Sequence, residues 1–383
     1  MKRVGILTFH ASHNYGSMLQ NFALQRIISS LSTLENEIDV ETINFRTEKQ
    51  KELYRYFVSY ADIIRHHGLL LQMFLERIYQ NSLKNKNELF EHFLIENLKL
   101  SKEVKNDKQL RALPKYDKYI VGSDQMWNTT ALDFEWSYFL DFVPPNLQKY
   151  SYAASMGPHP ERVQKLDVSF KEKIARSLNS YQSISARDKR TAKELQNLGV
   201  TKEIRVDLDP TLLLTAEEWS RYIPEEPVYK KSDGYILLYH PRYDKHIYDE
   251  ARNLSERTGL KVVCTVFSGL NDLHYPTFHR QYGTGPWEFL NLIKNATYVI
   301  GGSFHLIVFS ILFNRPFIAV DGMSDSRIRN LLTLCNLDFL STTKENKIEN
   351  ILKQTREIDF EAAVSILEKE RKKSISYLRC ILR

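Results

Sequence analysis

The sequence predicts an α/β protein built as two Rossmann-like domains facing a cleft. Two patterns and a length lead there. Short apolar runs alternate with stretches of helical apolar spacing, the pattern of parallel sheets with right-handed crossovers. That series breaks once, at residues 222–233, where Pro224 and Pro227 stand among charged residues with almost no apolar periodicity. A chain of 383 residues also exceeds one ordinary core. The expected division is residues 1–222, residues 233–340, and a helical tail at 341–383.

In chain order, residues 4–9 read as the first strand, 10–17 as a polar turn, and 18–31 as a helix. Residues 40–45 read as a strand, and 48–112 as a long helical insertion interrupted by Gly68. Strands at 118–121 and 150–155 end in Gly122-Ser123-Asp124 and Met156-Gly157-Pro158. Residues 183–186 form a strand leading into Arg187-Asp188 and a helix at 190–198, closed by Gly199. Residues 204–208 are a strand ending in Asp209-Pro210. Beyond the linker, strands are expected at 235–239, 261–266, 296–300 and 317–320, with helices at 248–258, 287–294 and 328–334.

Composition narrows the class. The net charge of +6 suits phosphorylated substrates, anionic glycans or anionic lipid. No basic stripe interleaves with aromatics in a nucleic-acid motif, so nucleic acid is not an expected partner. Cys264, Cys335 and Cys380 are scattered and odd in number, which fits reduced thiols rather than disulfides or zinc. The start of the chain lacks the apolar core of a signal peptide, and no run reaches the roughly 18 apolar residues of a membrane helix. A cytoplasmic protein is expected, peripheral to a membrane at most.

The most informative segment is Gly301-Gly302-Ser303-Phe304-His305, between an apolar strand and an apolar helix. Ligands of open α/β sheets bind at the C-terminal ends of strands, and helix amides there attract anions. His305, in the first helical turn, is placed for proton transfer or for holding phosphate. In the loop after the first strand, His10 and His13 lack the helical Glu of a metalloprotease, so no metal is expected. The amides of Gly16 and Ser17 could cradle an anion there, or form a tight turn with Ser17 as cap. Asp207-Leu208-Asp209 has the spacing of a metal-holding carboxylate pair, though a turn or cap is the stronger reading. Gly283-Thr284-Gly285-Pro286 is a poor nucleotide fingerprint, with Pro286 opening a helix. Arg187 and Arg327 follow strand ends, where a guanidinium can grip carboxylate or phosphate by paired hydrogen bonds, or sit in an ordinary salt bridge.

Over most of its length the chain resembles the polysaccharide pyruvyl transferase family. The matching pieces stand in order: Gly5-Ile6-Leu7-Thr8-Phe9 with Asn14-Tyr15-Gly16-Ser17, Val121-Gly122-Ser123-Asp124-Gln125-Met126-Trp127-Asn128, and Ser151-Tyr152-Ala153-Ala154-Ser155-Met156-Gly157. They continue with Ser185-Ala186-Arg187-Asp188, Asp209-Pro210-Thr211, Gly285-Pro286 with Phe289-Leu290, and Ser303-Phe304-His305. Residues from about 48 to 112 and those after about 340 are poorly covered by the resemblance. It implies a GT-B-like fold and transfer of pyruvate from phosphoenolpyruvate onto sugar hydroxyls as a ketal, without a cofactor. It implies catalytic roles for Arg187 and His305. Some members carry an Arg two residues before the His; here that position is Ser303, so one anion contact is missing or is supplied by Arg327, Arg242 or another residue. The candidate substrate-binding set is His10, Asn14, Gly16, Ser17, Asp124, Ser303 and Arg327.

The expected acceptor is a capsular, exopolysaccharide or cell-wall glycan precursor, which includes a lipid-linked oligosaccharide. Two alternatives stand beside it: a GT-B glycosyltransferase using a nucleotide sugar, and a non-catalytic subunit of a glycan-assembly complex. The tail mixes Lys369, Arg371, Lys372, Lys373, Arg379 and Arg383 with Ile375, Tyr377, Leu378, Ile381 and Leu382. That character suits an anionic membrane surface, or a last helix packed across the domains.

Overall fold

Two parallel sheets form the frame. The computed structural model describes residues 1–54, 70–230 and 234–383. Gly68 and the end of the expected linker, residues 231–233, lie outside the described residues.

Strands β1 (Lys2–Leu7), β2 (Ile38–Thr42), β3 (Lys118–Val121) and β4 (Gln148–Ser151) pair in the order β2-β1-β3-β4. β5 (Ile184–Ala186) and β6 (Ile204–Val206) form a parallel pair. The bridges Tyr150↔Ser183 and Ala154↔Ala186 attach that pair to the β4 edge. The second sheet contains β7 (Tyr235–Leu238), β8 (Lys261–Cys264), β9 (His279–Arg280), β10 (Tyr298–Gly301) and β11 (Phe317–Ala319), ordered β11-β10-β7-β8-β9. Val4 to Leu7 in β1 and all of β7 are buried without alternation, as strands covered on both faces must be. In both sheets the strand order reverses beside the first strand, between β1 and β3 and between β7 and β10. Crevices of this kind, outside the carboxyl ends of the strands, bind ligands in α/β sheets.

Helices cover these sheets. α1 (Tyr15–Ser30), α2 (Glu48–Leu53), α3 (Leu70–Ile78), α4 (Gln80–Asn97), α5 (Asp107–Ala112), α6 (Val168–Asn179), α7 (Lys189–Asn197) and α8 (Ala216–Ser220) precede β7. α9 (Lys245–Thr258), α10 (Pro286–Asn295), α11 (Phe304–Leu312), α12 (Ser326–Leu334), α13 (Ile348–Gln354) and α14 (Phe360–Leu382) follow it. The expected helical insertion is interrupted by extended chain: Leu100 and Val104 bridge to Thr42 and Phe45. Buried Leu98 and Val104 and the backbone bonds from Thr42 and Arg46 hold that segment against the β2 edge.

Aromatic rings join the two parts. Tyr15 stacks on Phe289 with centroids 4.2 Å apart, and its hydroxyl lies 2.7 Å from that of Thr284. Trp287 stacks on Tyr222 of the expected linker at 5.2 Å and meets Phe93 at 4.9 Å. Lys86 of α4 donates to the Thr265 carbonyl beyond β8 at 3.0 Å. α14 returns to the first sheet: Tyr377 donates to the Ser151 carbonyl at 3.0 Å, and Lys118 to that of Ile381 at 2.6 Å. Tyr377, Leu378, Ile381 and Leu382 are buried, so protein covers the apolar face that suited a membrane, while Lys369, Lys372, Lys373 and Arg379 point outward. Among the described residues no helix is long and apolar enough to cross a membrane.

Candidate active site

The site assembles from strand ends of both sheets. After β1, Asn14 takes extended geometry and its carboxamide oxygen accepts from the amides of Gly16 at 3.0 Å and Ser17 at 3.3 Å. Asn14, rather than Ser17, is therefore the cap of α1, and the two amides expected to cradle an anion are occupied. The Ser17 hydroxyl donates instead to Asp124, 2.5 Å away. Asp124 follows β3 with φ +83°, the left-handed region. Arg187 follows β5, next to Asp188, whose side chain caps α7. Asp209 follows β6 and caps the turn Pro210–Leu212.

Asp209 is the hub. Its Oδ2 accepts from Arg187 Nη1 at 2.8 Å and from the Ser123 hydroxyl at 2.8 Å, and lies 3.6 Å from His305 Nε2. Its Oδ1 accepts from the Thr211 amide and hydroxyl at 3.0 and 2.6 Å. Burial alone would raise the Asp209 carboxyl; the nearby His305 imidazole and Arg187 guanidinium, with the hydrogen bonds from Thr211, overcome it and hold the group far below the usual carboxylate range. The other acid of the D-x-D string goes elsewhere: Asp207 accepts from Ser185 at 2.8 Å and pairs with Arg205 at 3.3 Å. The two carboxylates do not converge on one point.

Arg187 is 4% exposed, stacks over the Phe304 ring at 4.7 Å and lies 3.8 Å from Asp124. Its Nε and Nη2 find no hydrogen-bond partner, and neither does His305 Nε2. Buried donors without partners are costly, and buried guanidinium N–H groups are strong acceptor seekers. α11 begins beside them, and its cap residue, Ser303, makes no side-chain capping bond. The first amides of α11 are thus uncapped next to a partly unpartnered guanidinium, an arrangement suited to an anion. Gly16 must be a glycine for a spatial reason: a Cβ there would fall 2.0 Å from His305 Nδ1.

A cavity of about 710 Å³ opens from this point, lined by Arg187, Phe304 and Arg327 and rimmed by Lys189, Lys193 and Arg329. Arg327 arrives already paired, its Nε and Nη2 on the Asp325 carboxylate at 2.9 and 2.5 Å. Arg242 is exposed. His10 lies apart from this cluster: its Nε2 meets Asn44 Oδ1 at 2.9 Å, its Nδ1 the Thr8 carbonyl at 3.3 Å, and burial pushes its pKa down. It lines a second cavity, of about 320 Å³.

The structure therefore brings together Arg187, His305, Gly16, Ser17, Asp124 and Ser303, with Arg327 on the cavity wall and Asn14 as the cap that frames them. Asp209, Ser123 and Phe304 were not singled out as site residues from sequence. Asp209 stood in view, within the D-x-D and the Asp209-Pro210-Thr211 piece, but spacing suggested a metal pair or a cap. His240, at the end of β7, was also missed. Its Nδ1 is buried without a partner, 3.0 Å from where a Cβ on Gly302 would lie, and burial lowers its pKa.

Comparison with known proteins places this chain in a family. The family model described as polysaccharide pyruvyl transferase matches residues 14–322. No curated protein matches the chain. Among solved structures, UDP-N-acetylglucosamine 2-epimerase from Rickettsia bellii is similar, with TM-score 0.53 and 12% identity over 100% of this chain and 98% of that one. The Neisseria meningitidis UDP-GlcNAc 2-epimerase bound to UDP-GlcNAc gives 0.52 and 11% over 96% and 94%. An α-glucosyltransferase in complex with UDP and DNA gives 0.50 and 9% over 98% and 95%. These likenesses show the fold, which is GT-B.

Proposed function

The chain belongs to the polysaccharide pyruvyl transferase family, and on that premise we propose that it transfers pyruvate from phosphoenolpyruvate to two hydroxyls of one sugar, forming a cyclic ketal. The acceptor is a glycan precursor for capsule, exopolysaccharide or cell wall. One observation carries the reading: Arg187 keeps two buried nitrogens, Nε and Nη2, without hydrogen-bond partners, beside His305 and the uncapped start of α11. Phosphoenolpyruvate brings a carboxylate and a phosphate, the two groups that such donors bind.

The chemistry balances on these residues. His305 gives a proton to the methylene carbon, which makes the adjacent carbon electrophilic. A sugar hydroxyl adds there and its proton passes to the now neutral imidazole. Phosphate leaves, the second hydroxyl closes the ring, and its proton goes to the departing phosphate. Arg187 and the α11 amides stabilise the anionic groups throughout. Asp209, between Arg187 and His305, fixes both in place. A lipid-linked acceptor would meet the outer face of α14 through charge alone, since its apolar side chains are buried.

A second reading, transfer from a nucleotide sugar, is favoured by the size and basic rim of the larger cavity and by solved neighbours that bind UDP-GlcNAc or UDP. Incubation with phosphoenolpyruvate and a panel of model glycosides separates the two. The expected result is phosphate release with a matching mass gain on the glycoside, reduced about 10²–10⁴-fold in His305→Gln. Product formation from a UDP-sugar without phosphoenolpyruvate would establish the second reading, and no turnover with either donor would favour a non-catalytic subunit.

A further inference from the structure

The smaller cavity is built differently from the larger one. Phe9, Phe45 and Tyr138 form an aromatic wall, with Tyr138 edge-on to both at 5.1 and 6.0 Å. Planar polar groups share the lining: Gln50, whose carboxamide donates to the Tyr138 hydroxyl, and Asn87. Its charges cancel. Arg46 spends two N–H groups on Glu91, at 2.9 and 3.1 Å, and His13 sits on the same carboxylate at 2.7 Å. Lys51 is paired with Glu103 at 2.6 Å. Burial would raise Glu91, but the hydrogen bonds from His13 and Arg46 bring it down to about 2, so it stays ionised against them. The Ser12 hydroxyl is buried there without a partner.

We propose that this cavity is the acceptor subsite and that it takes an uncharged sugar ring, a neutral hexose or N-acetylhexosamine rather than a uronic acid or a phosphosugar. The inference rests on the pyruvyl-transfer reading for the word acceptor. Apolar walls with a few convergent polar groups, in about 300–1,000 Å³, are the build of a small-molecule site. An aromatic wall receives the C–H face of a sugar, and carboxylate, guanidinium and amide edges receive its hydroxyls. An acidic ring would need an unneutralised cation, because a buried charge without a partner is expensive. Here Arg46 and Lys51 are already paired, whereas in the larger cavity Arg187, though paired with Asp209, keeps its Nε and Nη2 without hydrogen-bond partners for the anionic donor.

Position supports the assignment. The wall from Thr8 to His13 continues directly into Asn14, Tyr15 and Gly16, and Gly16 touches His305. Thr8 donates to the Ser123 carbonyl at 2.8 Å, and the Ser123 hydroxyl holds the Asp209 carboxylate. One turn of chain therefore separates the cavity from the proton-transfer group.

Saturation-transfer NMR on the full chain tests this with methyl glycosides of neutral hexoses, N-acetylhexosamines and glucuronic acid. The expected result is binding of at least one neutral glycoside, weakened by roughly tenfold or more in Asn87→Trp, which fills the cavity from α4. Glu91→Gln leaves Arg46 unneutralised and should shift preference toward the glucuronide. Calorimetry with phosphoenolpyruvate should give the same affinity in both variants as in the unaltered chain. Failure of every neutral glycoside to bind, tighter binding of the glucuronide by the unaltered chain, or neutral binding untouched by Asn87→Trp would overturn the proposal. Absence of phosphoenolpyruvate binding would instead count against the donor reading, since the glycoside signals are recorded without it.

Discussion

Asp209 is the residue on which the electrostatics of the cleft turn. It holds Arg187 at 2.8 Å and faces His305 at 3.6 Å, from a position 1% exposed. Its folded-state pKa lies below the ordinary 3.8, so its stabilising contribution is complete above that value and is lost as pH falls through the folded value. Asp209→Asn leaves the buried Arg187 guanidinium without its carboxylate and should cost about 3–5 kcal/mol at neutral pH. Urea unfolding across pH should show that gap constant down to about pH 5 and narrowing below it as the wild-type carboxylate protonates. A gap that closes at neutral pH would contradict this. Gly16 tests positioning without touching chemistry. Gly16→Ala puts a methyl group into the His305 ring, which must move, so turnover should fall about 10²-fold in protein that still folds, with about 1–3 kcal/mol of stability lost to overpacking. Wild-type turnover in that variant would show that the His305 position does not matter.

At the scale of elements, α14 decides how the tail is used. The sequence showed a basic stripe and an apolar stripe, but periodicity reports that a face is apolar and not what covers it. In the fold, Leu378 is fully buried and Tyr377 is bonded to the Ser151 carbonyl at the β4 end. Leu378→Ala should therefore cost about 2–5 kcal/mol in equilibrium unfolding, against nearly nothing for a surface anchor. β1, β3, β5, β7, β8, β10 and β11 were legible because each is a short apolar run ended by a turn. α6 was not foreseen: few of its residues, Ile174, Ala175, Ser177 and Leu178, are buried. β9 has only two residues and no pattern to read. The extended segment at 98–105 sits in a stretch whose composition favours helix, and tertiary pairing with β2 overrides that preference.

At the scale of the whole molecule, the two strand-order reversals face each other, and residues distant in sequence meet there. The strand-end position of Arg187 and the glycine-serine-histidine loop were visible in the sequence. The carboxylate joining them was not, because a charge pair between loops of two sheets leaves no periodic trace. The placement of His10 in a separate cavity was equally hidden, since its loop also carries Gly16 and Ser17. In the proposed reaction Arg187 is the grip on phosphoenolpyruvate. Calorimetric titration of phosphoenolpyruvate into the unaltered chain, Arg187→Lys and Arg187→Ala measures that directly. Binding should be lost by about 2–5 kcal/mol in both variants, since an ammonium cannot reproduce the planar fork of the guanidinium. Unchanged affinity in folded Arg187→Ala would contradict the central claim.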